Sequence, residues 1–223
     1  NLANNISVLT SIRLLIFILR ELQDFKCKDV QKILVEANMM KAFFNNLTFY
    51  MSHCRDQHHT AATNKCNHTV PNIRSKFHTH KEEVQNRLHF LSFMYCYGAT
   101  VDGIKLSQEH IDILWHVFTT SQHLEIVDEF FEWLFRQVNN GIINADTYFY
   151  ILVEKMTLLS PESFSLISLN MLQLLQQHLT VARNQTKCKY IRIVILILWK
   201  VAFSTEDPEV YMSAIRSLNA NYM

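Results

Sequence analysis

The most chemically suggestive stretch of the chain is a polar segment that concentrates histidine and cysteine side chains. Imidazole and thiolate groups are ligands that zinc prefers, and a structural site brings four of them around one ion. Structural zinc motifs usually pair their ligands two to four residues apart on both sides of a hairpin, and that spacing is absent here. We therefore favour a solvated linker over a metal site. The alternative is a zinc module whose candidate ligands are Cys54, His58, Cys66 and His68.

Nucleophilic or acid–base catalysis would require a cysteine or histidine with a positioned partner. Cys96 ends a predicted helix between two tyrosines, a setting typical of a packed thiol. His110, His116 and His123 lie along one predicted helix and its exit, and no acidic residue is evidently placed to orient them. Surface or core histidines are therefore favoured. We predict no catalytic residue and no cofactor in this chain.

Two further clusters could contact partner proteins. An aromatic series could form a groove for a partner helix, but packing in a helical core explains such a series first. Its members are Phe130, Phe131, Trp133 and Phe135. A small basic patch is typical of a solvated helix end and could also attract an acidic segment. This patch comprises Arg183, Lys187, Lys189 and Arg192.

The composition predicts an all-α protein. Hydrophobic residues make up 49% and aromatic residues 12% of the 223 residues, which supplies ample core. Three glycines and three prolines provide little of the turn chemistry that a multi-stranded protein needs. The 21 basic and 20 acidic residues nearly balance, so the chain lacks the charge that nucleic-acid binding demands.

Cysteine usage and hydropathy indicate the compartment. Five cysteines at irregular spacing favour reduced thiols over a disulfide framework, although four Asn-x-Ser/Thr triplets would be glycosylation acceptors in the secretory pathway. The apolar runs at 14–19 and 193–198 are far shorter than the roughly 20 residues of a membrane span. The chain begins without a charged leader and is interpreted as a piece of something longer. We expect a cytoplasmic protein, with the nucleus as a further compartment, and no membrane partner.

Apolar periodicity and capping signals divide the chain into helices and one linker. We predict a helical front segment at 1–54, a mobile His-rich linker at 55–77 and a helical-repeat array at 78–223. Predicted helices cover 6–25, 29–38, 40–53, 81–97, 108–120, 124–138, 146–158, 161–181 and 189–204. Ser107, Ser160 and Asp207 are expected to cap the helices that follow them, and the run from Asn139 to Gly141 is expected to end the helix at 124–138.

Two architectures fit this order of helices. Pairs of helices that recur about every 35 to 45 residues are typical of an armadillo or HEAT-like α-superhelix, which we favour. No literal repeat motif is visible, so a compact helical bundle is the alternative.

The helix at 81–97 gives the clearest prediction of a buried face. Val84 and Leu91 recur at helical spacing, whereas Glu83, Asn86 and Arg87 are expected to stay in solvent. The predicted core residues of the whole chain are Leu88, Phe90, Leu91, Leu114, Trp115, Trp133 and Trp199.

A succession of short motifs carries a family resemblance. An Asn-Leu-x-x-Tyr-Met run stands at 46–51, a Glu-Val-Gln-x-Arg-Leu-x-Phe-Leu-x-Phe helix stands at 83–93, and an aliphatic–Trp pair follows at 114–115. Thinner matches lie at 133–135 and 158–161. This order resembles the long helical region that precedes the catalytic domain in the very large ubiquitin-specific proteases of the fat-facets type.

The resemblance covers roughly residues 30–215 and implies a function. Such proteases build their nucleophile into a Gly-Ala-Thr-Cys box, but here Gly98, Ala99 and Thr100 are followed by Val101, so we interpret the triplet as a coincidence. The resemblance implies a non-catalytic scaffold that positions ubiquitinated substrates or partners for a separate catalytic domain of a thiol peptidase parent chain. The alternative is a stand-alone helical adaptor unrelated to ubiquitin.

Overall fold

The computed structural model describes residues 39–63, 80–98, 106–121, 123–143, 145–181 and 187–222, and every regular element in these ranges is a helix. The chain forms two compact units, which divide near residue 105. In the first unit the described helices are α1 (Met39–Thr63) and α2 (His80–Gly98). The second unit contains the described elements from residue 106 onward, apart from residues 120 and 121.

Large apolar side chains hold α1 and α2 together in the first unit. The Phe43 ring stacks on the Phe90 ring with a centroid separation of 5.0 Å. Leu47 of α1 and Leu91 of α2 are completely buried. The apolar stripe predicted for the helix at 81–97 is therefore the face of α2 that packs in the core of this unit.

The end of α1 differs from the prediction. The helix continues through residues 55–63, which the sequence analysis assigns to the linker. Because backbone hydrogen bonds can propagate a helix through a polar stretch, the loss of apolar period at residue 55 does not mark a helix end. Residues 64–77 and the predicted helices at 6–25 and 29–38 lie outside the described residues, and the three-segment division stays a prediction.

The second unit is built from consecutive helices that pack on one another. Its described α-helices are α3 (Gln108–Thr119), α4 (Leu124–Asn139), α5 (Ala145–Tyr150), α6 (Leu166–Val181), α7 (Lys187–Ser204) and α8 (Pro208–Tyr222). A π turn (Ile151–Lys155) and a 3-10 turn (Met156–Leu158) continue α5. Helix α4 packs on α3 and α6, and α6, α7 and α8 pack pairwise, as expected for helical-repeat layers.

Three predicted helix ends are confirmed by their hydrogen bonds or their backbone conformation. The Ser107 hydroxyl accepts a bond from the amide of His110 at 3.2 Å and so caps α3. After α4, Gly141 adopts a left-handed φ of +69°, which a residue without a Cβ reaches without steric cost. Asp207 caps α8, since its Oδ1 accepts bonds from the amides of Glu209 at 2.8 Å and Val210 at 3.3 Å.

The single helix predicted at 161–181 is wrong. A 3-10 turn (Pro161–Ser163) is followed by extended backbone at Phe164, whose side chain is buried, and α6 begins only at Leu166. Ser165 is the actual cap, because its hydroxyl accepts a bond from the Ser168 amide at 3.3 Å. Burial of the Phe164 ring thus breaks a helix that local signals would have continued.

Six of the seven predicted core residues are buried. Leu88, Phe90 and Leu91 are buried in the first unit, and Leu114, Trp115 and Trp133 are buried in the second. Phe130 and Phe131 of the aromatic series are completely buried, so these rings pack in the core and do not line an open groove. Trp115 meets both rings edge-on, at centroid distances of 5.9 and 5.5 Å.

The prediction that Trp199 belongs to the core is wrong, because 38% of this residue is exposed. Helix α7 turns Val194, Leu198 and Val201 inward, and all three are completely buried. Trp199 lies on another face, where its ring stacks on Phe203 at 5.3 Å. Since α7 is apolar around most of its circumference, periodicity alone cannot select the face that packs.

Two tryptophans of the second unit therefore make a matched test of the core. Trp115→Ala should lower the free energy of unfolding by about 2 to 5 kcal/mol, because it opens a cavity among buried rings. Trp199→Ala should cost less, about 1 kcal/mol, because the ring is partly exposed and leaves no enclosed cavity when it is removed. Urea unfolding followed by far-UV circular dichroism measures both. Equal losses in the two variants would contradict this assignment of faces.

Candidate interaction surfaces

A groove of about 790 Å³ opens in the second unit, and we call it the acidic groove. It lies beside the amino-terminal ends of α4, α6 and α8. Its lining residues are Leu124, Asp128, Glu162, Phe164, Ser165, Leu166, Ile167, Ser204, Thr205, Glu206, Asp207 and Val210. The predicted site residues include none of these, because the groove joins segments that are far apart in sequence.

The lining combines negative charge with apolar surface. Four of the residues are carboxylates, namely Asp128, Glu162, Glu206 and Asp207, and none of the described lining residues is a lysine, arginine or histidine. Two leucines remain accessible in the groove, with Leu124 54% exposed and Leu166 37% exposed. The arrangement can therefore attract a cation and cover an apolar group beside it.

Neutral donors hold several of these carboxylates in place. The Ser165 hydroxyl donates to Asp128 at 2.5 Å, and the Ser160 hydroxyl donates to Glu162 at 2.8 Å. The bonds that cap α8 come to Asp207 from backbone amides. Because hydroxyl and amide donors carry no net charge, these bonds position the carboxylates without neutralising them.

A second exposed surface lies on α7, and we call it the apolar α7 face. It consists of Leu196, Trp199 and Phe203, which are 55%, 38% and 82% exposed. These residues recur at helical spacing, so one stripe of α7 presents large apolar side chains to solvent. Contiguous apolar surface of this kind is typical of a contact with another protein or another repeat.

In the first unit, the prediction that Arg87 stays in solvent is wrong, because this residue is only 3% exposed. Its Nη1 donates to Glu83 Oε2 at 2.6 Å, and its guanidinium lies 4.0 Å from the centroid of the Tyr50 ring. The Tyr50 hydroxyl is also 2.7 Å from Nδ1 of His80. An ion pair and a cation–π contact thus compensate the buried charge.

This network joins two of the motifs that carry the family resemblance. Tyr50 belongs to the run at 46–51, whereas Glu83 and Arg87 belong to the helix at 83–93. The contact of the Arg87 guanidinium with the Tyr50 ring joins the two motifs. This contact helps to hold α1 against α2.

A charged cluster of the second unit ties α3 to the π turn. Lys155 Nζ lies 2.5 Å from Asp112 Oδ1, and the Tyr150 hydroxyl donates to the same carboxylate. Partial burial acts to raise the pKa of Asp112, but the hydrogen bonds from Lys155 and Tyr150 outweigh it and hold the pKa below its ordinary value. The bond to Asp112, the largest cause, and partial burial raise the pKa of Tyr150.

The four candidate zinc ligands are only partly covered by the structure. Cys54 and His58 lie on α1, and Cys66 and His68 lie outside the described residues. No group of three His, Cys, Asp or Glu side chains that the structure describes is arranged to hold a metal ion. Because half of the candidate ligands are not described, the zinc alternative stays untested.

The other predicted candidates do not form a common site in the part of the chain that is described. His116 is exposed on α3, and His110 and His123 are half-buried. Cys96 lies on α2, and the triplet from Gly98 to Thr100 passes out of the described residues after Gly98. Of the basic patch, Arg192 is exposed on α7.

Among the residues that can be described, no helix combines the length and the apolar character needed to span a bilayer.

Comparison with known proteins identifies the family. The family described as UBP24/USP9X/USP9Y ARM repeat matches residues 18–170, and the chain belongs to it. This match confirms the predicted armadillo-like α-helical fold. It also confirms the resemblance to large ubiquitin-specific proteases, although the matched range begins and ends earlier than the predicted one.

Alignments with curated relatives cover the whole chain. Ubiquitin carboxyl-terminal hydrolase 34 of Homo sapiens is 31% identical over 237 aligned positions, and ubiquitin carboxyl-terminal hydrolase puf of Drosophila melanogaster is 27% identical over the same number. Each alignment covers 100% of this chain but only 6% of the relative. The chain thus corresponds to a small part of these proteins. No solved structure matches it.

Two arginines at the same helical spacing provide a test of the buried network. Arg87→Ala should lower the free energy of unfolding by about 1 to 3 kcal/mol, because it strips the partly buried Glu83 carboxylate and the half-buried Tyr50 ring of their buried partner. Arg136→Ala is the control. The side chains of Arg136 and Glu132 are 59% and 51% exposed, so their ion pair should stabilise the fold by less than about 1 kcal/mol. Chemical denaturation measures both. A similar loss of stability in the two variants would mean that burial of Arg87 makes its contacts no more stabilising than those of an exposed ion pair.

Acid should weaken the cluster around Asp112. Its pKa is lowered in the folded state, so its contribution to stability is complete above the unfolded pKa of about 3.9 and is lost as the pH falls through the lower folded value. Asp112→Asn should therefore cost up to about 1 kcal/mol at pH 7 and progressively less below pH of about 4. Denaturation across this range measures the difference. If the difference in unfolding free energy between wild type and variant grew as the pH fell, the predicted direction of the pH dependence would be wrong.

Proposed function

We propose that the chain is a non-catalytic scaffold segment of a large ubiquitin-specific peptidase. In this proposal it positions ubiquitinated substrates or partner proteins for a separate catalytic domain of the same parent chain. The observation that carries the proposal is the membership in the ARM repeat family, together with relatives named ubiquitin carboxyl-terminal hydrolase of which the chain covers only 6%. The parent would be a thiol peptidase of the cytoplasm and the nucleus.

The surfaces of the second unit support a role in contacts. The apolar α7 face exposes three large side chains, and the acidic groove combines carboxylates with accessible leucines. Helical-repeat proteins use extended surfaces of this kind to hold other proteins. The described polar clusters around Arg87 and Asp112, by contrast, make contacts between helical elements.

A ubiquitin probe with a thiol-reactive carboxyl terminus tests the catalytic assignment. The isolated chain should remain unlabelled, whereas the parent protein should be labelled, because the nucleophile belongs to another domain. Labelling of the chain itself would contradict the non-catalytic assignment. If the parent protein does not react, the link to ubiquitin is wrong and a helical adaptor unrelated to ubiquitin takes its place.

The positioning role needs a separate comparison on the parent protein. Trp199→Ser/Phe203→Ser should slow the removal of ubiquitin from protein conjugates and leave the cleavage of a small fluorogenic ubiquitin substrate unchanged, because only the conjugate needs to be positioned. Lys200→Ser, an exposed change on the same helix, is the control. Equal slowing with both substrates would indicate a damaged catalytic domain, and unchanged rates with both would contradict a role for the apolar α7 face in positioning.

A further inference from the structure

We propose that the acidic groove binds a segment of a partner protein in which a lysine or arginine stands beside an apolar side chain. The inference rests on the proposed scaffold role, because it states what such a scaffold would hold. Its evidence is nevertheless separate, since it comes from the lining of one groove in the second unit and requires no contact with ubiquitin.

The charge of the groove is a local property. The whole chain carries a formal net charge of +1, with 21 basic and 20 acidic residues. The groove concentrates four carboxylates, and no lysine, arginine or histidine appears among its described lining residues. A negative surface on a nearly neutral chain selects a positively charged partner over an acidic one.

The helix ends around the groove do not cancel this charge. The amino termini of α4, α6 and α8 each contribute roughly half a positive charge, and this contribution falls off within the first turn. Even with Asp128 left out of the balance, three such ends supply only about half of the charge of Glu162, Glu206 and Asp207. The donors to Glu162 and Asp207, a hydroxyl and backbone amides, are neutral. A net negative potential therefore remains for a partner.

The apolar part of the lining favours a cationic side chain over a bare metal ion as the ligand of the groove. Phe164 and Val210 are buried in the wall, and Leu124 and Leu166 are accessible beside the carboxylates. A metal ion would gain nothing from the leucines, and none of the described carboxylates forms a metal-binding group of three. The methylene stem of a lysine or arginine, together with an apolar neighbour in the peptide, would cover the two leucines. The charged end of the same lysine or arginine would meet the carboxylates.

The dimensions of the groove fit such a segment. Its volume of about 790 Å³ lies within the range of roughly 300 to 1,000 Å³ that is typical of ligand pockets. This space accommodates several side chains of one short peptide. A folded domain would instead have to present the same pair of side chains on a protruding loop.

Peptide binding to the isolated chain tests the inference directly. The probe is a short fluorescein-labelled peptide of alternating arginine and leucine, and its binding is followed by fluorescence anisotropy. We expect saturable binding that weakens as salt is raised, because exposed ion pairs are screened. Peptides that alternate glutamate with leucine, or arginine with serine, should bind more weakly, since each lacks one half of the required chemistry.

Variants of the chain locate the binding in the groove. Glu162→Gln/Glu206→Gln should weaken binding of the arginine–leucine peptide roughly three- to tenfold, the scale expected for two exposed ion pairs. Glu132→Gln/Glu154→Gln removes the same charge from exposed positions outside the groove and should leave binding unchanged. Leu124→Ser should weaken binding to the arginine–leucine peptide but not to the arginine–serine peptide. Circular dichroism verifies that each variant is folded.

Three outcomes would overturn the inference. These are the absence of saturable binding, equal binding of the acidic peptide, and equal weakening by the two double variants. None of them bears on the ubiquitin probe assay, which reports on the parent protein. Conversely, an unreactive parent protein would remove the ubiquitin link and leave the groove's preference for a basic partner intact.

Discussion

Burial of large side chains between consecutive helices is the constraint on which both units depend. A single helix cannot cover its own apolar stripe, so each helix of an array must be covered by its neighbours. In the second unit the Phe130 ring stacks on Phe118 at 5.1 Å and meets Trp115 edge-on at 5.9 Å, which joins α3 to α4. In the first unit the pair Phe43 and Phe90 joins α1 to α2. The same constraint explains why mutation of a buried ring should matter more than mutation of an exposed one.

Environment, more than sequence spacing, decides the role of the polar residues. Arg87 and Arg136 each lie four residues after a glutamate with which they pair. The first pair is buried against a tyrosine ring on another helix, whereas the second stands in solvent. A buried pair is structurally demanding because either partner alone would be an uncompensated charge. An exposed pair competes with water and salt, so it contributes little.

The features that could be predicted from sequence are those determined within a few residues. Ser107, Gly141 and Asp207 end or begin helices through bonds to nearby backbone, and the sequence analysis found all three signals. The features that were missed depend on contacts across the fold. Burial of Phe164 delays the start of α6, Tyr50 on another helix buries Arg87, and neighbouring helices choose which apolar face of α7 packs. The acidic groove was missed for the same reason, because three separate segments of the chain contribute its lining.

The position of the groove explains how recognition and folding can share one surface. Where several helices begin side by side, their unpaired amides require acceptors, and short acidic or hydroxyl side chains supply them. Asp207 meets this need for α8 and Ser165 meets it for α6, while Asp128 accepts the Ser165 hydroxyl. These residues are fixed by the fold. Glu162 and Glu206, in contrast, are exposed lining residues, and no bond from their side chains to the first amides of a described helix is seen. Their charge can therefore change with little cost to folding, so related repeats can retain the helical array and still differ in the partner that the groove selects.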